Sequence, residues 1–179
     1  STAVDFGTNA TATIDGYTSE STFGVTIALS STHLVVGAST AKKVFVFKKD
    51  ANGDYPTTAT ATIDDYTGEA SFGISLALSS TYLVVGASDA KKAFVFKADA
   101  NGTFPTTATA TINNGNKEFG RGVALSSTHL VVSAHATGVR KAFIFKADAN
   151  GDFPTTAAAT LDGYTSESGF GWPVSLSST

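Results

Sequence analysis

The chain of 179 residues contains no cysteine, no methionine, one tryptophan and four prolines. Without cysteine it has no disulfides and no thiolate ligands for a metal. Charged residues are scarce at 15%, the formal net charge is −3, and no basic stripe carries interleaved aromatic residues. We therefore do not expect nucleic acid as a partner. No apolar run approaches the roughly 18 residues that suggest a membrane span, so we expect no membrane insertion either.

What the sequence has in abundance is repetition. The phrase FGISLALSSTYLVVGAS at 72–88 returns as FGVTIALSSTHLVVGAS at 23–39 and, with changes, as FGRGVALSSTHLVVSA at 119–134. Phe-Gly pairs begin at Phe23, Phe72, Phe119 and Phe170, and an Asp-Ala-Asn-Gly phrase begins at Asp50, Asp99 and Asp148. A period of about 50 residues indicates an array of supersecondary units. The third unit differs in length before Phe119 and around 135–138, where we expect loops.

Each unit divides into four candidate strands, because β-branched and aromatic residues dominate and turn residues separate the runs. In the second unit these are ISLALS (74–79), YLVVGAS (82–88), KKAFVFKA (91–98) and TTATATI (106–112). The middle two are nearly continuous apolar runs, which predicts a sheet covered on both faces. We expect at least one phenylalanine of each third-strand pair to be buried; the pairs are Phe45 and Phe47, Phe94 and Phe96, and Phe143 and Phe145.

Four antiparallel strands in about 50 residues is typical of a β-propeller blade. The sequence therefore predicts an all-β, propeller-type array of about three and a half blades, with a β-solenoid as the alternative. The predicted segments are an outer strand of a preceding blade (1–15), blade 1 (16–64), blade 2 (65–113), blade 3 (114–162) and the first strand of a further blade (163–179). Since the end strands cannot form a full blade together, we expect a segment of a longer repeat protein or a self-assembling chain.

The order Phe-Gly, Ala-Leu-Ser, Leu-Val-Val-Gly-Ala resembles the FG-GAP repeat of integrin-α-type β-propellers. Gly-Ala-Ser at 37–39 and 86–88 stands where that family often has Gly-Ala-Pro, and the following K-x-F-V-F segment also matches. The resemblance covers nearly the whole chain. It implies an extracellular or cell-surface setting and an adhesive or structural role, and it implies no catalysis.

One departure concerns metal. Many blades of that family carry a D-x-D-x-D-G calcium loop between their first two strands, but here the connection is Ser-Ser-Thr. Three hydroxyl residues cannot supply the six to eight oxygens that calcium prefers. The turns that begin at Asp50 and Asp148 resemble part of a calcium loop, but Asp and Asn also suit such turns for backbone reasons. We expect no metal and no cofactor.

The connectors between blades repeat the pattern D-x-Y-T-x-E. Tyrosine beside carboxylate on an exposed loop is a combination that binds sugars, and it is equally a tyrosine that packs between blades. The candidate ligand-binding residues are Tyr17, Glu20, Tyr66, Glu69, Tyr164 and Glu167. The third unit replaces the pattern with NNGNKE at 113–118.

The sequence thus predicts a non-catalytic, extracellular structural or adhesive module whose partners are further repeats or copies of itself. The alternative is a lectin-like propeller that binds carbohydrate through the tyrosine loops. An enzyme would need a constellation around His135, and we predict none. The sequons at Asn9 and Asn101 are glycosylation acceptors only if the chain is secreted.

Overall fold

In the computed structural model, residues 13–163 and 169–177 are described. All regular structure in these residues is β, and no helix in them is long and apolar enough to cross a membrane. The first four strands are β1 (Phe23–Leu29), β2 (His33–Ala38), β3 (Lys43–Lys48) and β4 (Ala61–Ile63). The next four are β5 (Phe72–Leu78), β6 (Tyr82–Ala87), β7 (Lys92–Lys97) and β8 (Ala110–Asn113). The last four are β9 (Phe119–Leu125), β10 (His129–Ala136), β11 (Val139–Lys146) and β12 (Ala159–Asp162).

These strands form three four-stranded antiparallel sheets, each joined in sequence order, β1–β4, β5–β8 and β9–β12. The prediction of propeller-type blades is therefore confirmed. The outer strand is shorter than the alternating Thr-Ala pattern suggests, since β8 pairs with β7 only over 110–113. Just before β8, Thr109 bonds to β7 through its side chain. Thr109 Oγ1 donates a 3.0 Å hydrogen bond to the Val95 carbonyl and accepts the Lys97 N–H at 2.8 Å.

The sheets stack face to face, with the inner strand of each sheet against the first two strands of the sheet before it. Two apolar cores fill the two interfaces. All six third-strand phenylalanines are buried, with Phe47, Phe96 and Phe145 fully inaccessible. The expectation of burial for each pair is confirmed. The rings of β7 and β11 lie in the cores shared with the preceding sheet, and Phe45 and Phe47 lie in a third cluster with Tyr17 and Phe23.

The two extra residues of the third unit lengthen a hairpin and do not form a loop. Strands β10 and β11 have eight residues each, against six in their counterparts. Ala136 pairs with Val139, so only Thr137 and Gly138 remain as the turn. Gly138 has a φ of 80°, which suits a tight hairpin turn.

The third sheet has an open face. Leu161 is 51% exposed, although its counterparts Ile63 and Ile112 in the other sheets are 1% and 0% exposed. Residues 169–177 contain no strand, but Gly171 lies against the backbone of Lys141, as the Phe-Gly glycines of β5 and β9 lie against the sheets before them. The predicted outer strand at 1–15 falls almost entirely outside the described residues.

Candidate functional site

The tyrosine of the first D-x-Y-T-x-E loop is part of the packing. The ring of Tyr17 stacks on Phe23, with 4.5 Å between centroids, and meets Phe45 edge-on. Its hydroxyl accepts the backbone N–H of Ala59 at 2.8 Å. Tyr66 repeats every one of these contacts in the second sheet, with Phe72, Phe94 and Ala108. Burial raises the pKa of Tyr66, so the hydroxyl stays neutral. These loops thus use their tyrosines to attach the outer strand to the inner one.

The glutamates of the same loops are ion-paired. Glu20 lies 2.7 Å from the Lys43 ammonium, and Glu69 lies 2.6 Å from Lys92. Each pair joins the loop to the start of the third strand of its own sheet. Tyr164 and Glu167 lie outside the described residues. Carbohydrate binding at these loops stays a prediction, and a sugar there would have to share groups that already have structural partners.

The Asp-Ala-Asn-Gly phrases form capped turns. Asp50 Oδ1 accepts the N–H groups of Asn52 and Asp54 at 2.8 and 3.0 Å, and these hydrogen bonds lower the pKa of Asp50. Asp99 and Asp148 make the same pair of bonds. Among residues 13–163 and 169–177, no three acidic or histidine side chains cluster as metal ligands do. The aspartates therefore have a backbone role in these turns.

The position that is histidine or tyrosine at the start of the second strand joins neighbouring sheets. His33 is buried and lies 5.2 Å from the Phe104 ring of the second sheet. Burial, and then the charge of Lys48, lower the pKa of His33. Tyr82 occupies the same position one sheet later, contacts Phe153 at 5.3 Å and donates its hydroxyl to the Gly151 carbonyl.

A cleft of about 340 Å³ lies where the inner strands converge. The third residue of each Phe-Gly segment contributes to it, so four counterpart side chains meet at one level. They are Val25, Ile74, Arg121 and Trp172. Leu76, Val123 and Val174, two residues further along, line the next level, because alternate residues of a strand point the same way.

Two of these four counterpart residues, Arg121 and Trp172, differ from the Val and Ile of the first two sheets, and they interact with each other. The Arg121 guanidinium carbon lies 5.0 Å from the centre of the Trp172 ring, within cation–π range. The centroid of the His135 ring lies 5.9 Å from that of Trp172. Trp172 is 54% exposed. The cleft thus combines an aromatic ring and a cation at its rim with an aliphatic wall.

This cleft was not predicted from the sequence. The signal was present as a break in the repeat: Val25 and Ile74 become Arg121 in Phe-Gly-Arg-Gly and Trp172 in Phe-Gly-Trp-Pro. A comparison of counterpart positions, instead of a search for motifs, would have found both residues.

Solved structures with similar folds support the propeller class. A candidate 6-phosphogluconolactonase from Bacteroides uniformis superimposes with a TM-score of 0.58 at 16% identity, covering 78% of this chain and 42% of that one. The WD40 domain of a Toxoplasma gondii coronin gives 0.56 at 12% identity, with 78% and 35% covered. A functionally unknown protein from Desulfotomaculum acetoxidans gives 0.54 at 13%, with 74% and 39% covered.

At these identities the likeness shows the fold alone, and the class that it defines is the β-propeller type. The chain spans 35–42% of the length of these structures. No family model matches the chain, and no curated protein matches it.

Proposed function

We propose that the chain is a non-catalytic structural or adhesive module, in an extracellular or cell-surface setting, whose partner is a further repeat of the same kind. That repeat comes from a second copy or from a longer parent chain. The setting and the adhesive role follow from the FG-GAP resemblance. The open face of the third sheet supports the proposal that a further repeat binds there.

The single observation that carries the proposal is the exposure of Leu161 where Ile63 and Ile112 are buried. Those two isoleucines are covered by the sheet that follows each of them, in a core that also contains the third-strand phenylalanines of the covering sheet. Around Leu161 the face continues with half-buried Val131 and Ile144, whose counterparts in the other sheets are fully buried. This apolar face is buried by the following sheet at both interfaces within the chain. The same face of the third sheet therefore suits a contact with a further repeat.

The polar contacts at the edge of each interface favour the same partner. Lys48 donates to the Asn101 carbonyl of the next sheet at 2.6 Å. Lys97, one repeat later, donates to the Asn150 carbonyl and pairs with Asp152 at 2.7 Å. Lys146 is the next lysine in this series and is exposed. A following repeat with an Asp-Ala-Asn-Gly-Asp turn would supply its acceptors.

Sedimentation velocity over a range of concentrations tests the proposal. We expect the chain to associate, and we expect Leu161→Asp to shift it to monomer because a buried carboxylate at the interface would be unpaired. Thr160→Asp is the matched control, since Thr160 points to the opposite face of β12. A wild-type chain that stays monomeric at every concentration would exclude the second copy as partner. Protease treatment of intact source cells tests the setting, since a surface protein is cleaved without lysis.

A further inference from the structure

We propose that the cleft between the inner strands binds a small amphipathic carboxylate, an apolar chain that ends in one carboxylate group. Such binding is separate from the assembly role, because a single copy of the chain supplies all the residues that line the cleft. The cleft volume of about 340 Å³ falls within the range of about 300–1,000 Å³ that is common for small-molecule sites.

The walls of the cleft favour an apolar ligand body. Seven lining residues are apolar: Val25, Ile74, Leu76, Val123, Trp172, Pro173 and Val174. Ser75 offers little to a ligand, because its hydroxyl donates to the Gly120 carbonyl at 2.8 Å. Ile27 and Leu29, further along the same face of β1, are more than half exposed.

The rim of the cleft favours an anionic head group. Arg121 is the sole charged residue among those that line it. In the described part of the chain the Arg121 guanidinium forms no ion pair with a carboxylate, and it lies 5.0 Å from the centre of the Trp172 ring. A guanidinium binds a carboxylate with two parallel N–H···O hydrogen bonds, and a stacked ring holds its plane in place. One cation above an aliphatic wall therefore matches one carboxylate on an apolar chain.

Trp172 is the chain's single tryptophan, so its fluorescence reports on the cleft without labelling. We expect decanoate, added below its micellar concentration, to change the emission of the intact chain saturably. Decanol and decyltrimethylammonium have the same apolar chain without the anion, and we expect both to bind at least about tenfold more weakly, the effect of losing one charge-assisted hydrogen bond.

Variants at position 121 separate the effect of the positive charge from that of the shape of the guanidinium group. Arg121→Ile installs the residue that the second sheet has at this position, so the fold is kept, and we expect decanoate affinity to fall about tenfold or more. Arg121→Lys keeps the charge and should retain more of the affinity. Arg140→Gln, the other arginine of the chain, is the control and should bind decanoate like wild type. If decanoate and decanol bind equally, if Arg121→Ile binds like wild type, or if no probe binds, the proposal is wrong.

Discussion

Ser133 pairs with Gly122 across the β9–β10 ladder, and this reverses the order of the two residue types in the other sheets. There the glycine is on the second strand and the hydroxyl residue on the inner strand; the pairs are Thr26–Gly37 and Ser75–Gly86. Each pair thus contains one glycine, whichever strand supplies it. Because the ladder brings the two positions together between stacked sheets, only one of them has room for a side chain.

The first prediction concerns Gly86. A Cβ there would lie 2.1 Å from the Gly120 carbonyl oxygen and 2.1 Å from the Ser75 hydroxyl, so the next sheet would have to shift. We expect Gly86→Ala to lower the free energy of unfolding by about 1–3 kcal/mol, as overpacking does. Chemical denaturation measures it. Gly68→Ala is the control, because nothing lies within 4 Å of a Cβ at Gly68, and a loss as large there would contradict the steric explanation.

The second prediction concerns the core between the first two sheets. Phe96 is fully buried and lies in one cluster with Val46, Ile63 and Leu83. We expect Phe96→Ala to lower the free energy of unfolding by about 3–5 kcal/mol, because it removes a ring and leaves a cavity. Urea denaturation measures this loss. Leu161→Ala, at the exposed position of the third sheet, should cost much less at a concentration where the chain is monomeric, and comparable losses there would show that the same chain covers this position.

The third prediction is a pH dependence that originates at His33. Its pKa is lowered in the folded state, so the unfolded chain takes up the proton more readily. The stability that the neutral ring contributes is therefore present above the ordinary histidine pKa of about 6.5 and is lost as the pH falls through the folded value. We expect thermal melts between pH 7.5 and 5 to show a falling Tm.

A substitution that the chain itself contains isolates this effect. His33→Tyr installs the residue of the second sheet, Tyr82, and we expect it to flatten the dependence of Tm on pH over this window. His129→Tyr, at the counterpart position of the third sheet, is the control. A pH dependence that is unchanged by His33→Tyr would assign the proton uptake to another group.

The sequence was sufficient for the repeat and for the order of the strands, because Phe-Gly and Asp-Ala-Asn-Gly recur at a regular spacing. It did not predict how short the outer strands are or that the extra residues near 136–139 extend a hairpin. It left the role of Tyr17 open between sugar binding and packing, and it did not show the ion pair of Glu20, since Ala59 and Lys43 are distant in the chain. The cleft was missed for a related reason. Arg121 and Trp172 are ordinary residues in their own segments, and only the convergence of the inner strands places them together.

The central claim is that the three sheets stack in order, each covering the one before it. An NMR measurement of contacts between aromatic rings tests it directly, and the pair to observe is Tyr82 of the second sheet and Phe153 of the third. Their ring centroids lie 5.3 Å apart, so we predict strong nuclear Overhauser effects between the two rings, and likewise between His33 and Phe104. Folded sheets in which neither pair gives a cross-peak would contradict the stacked arrangement.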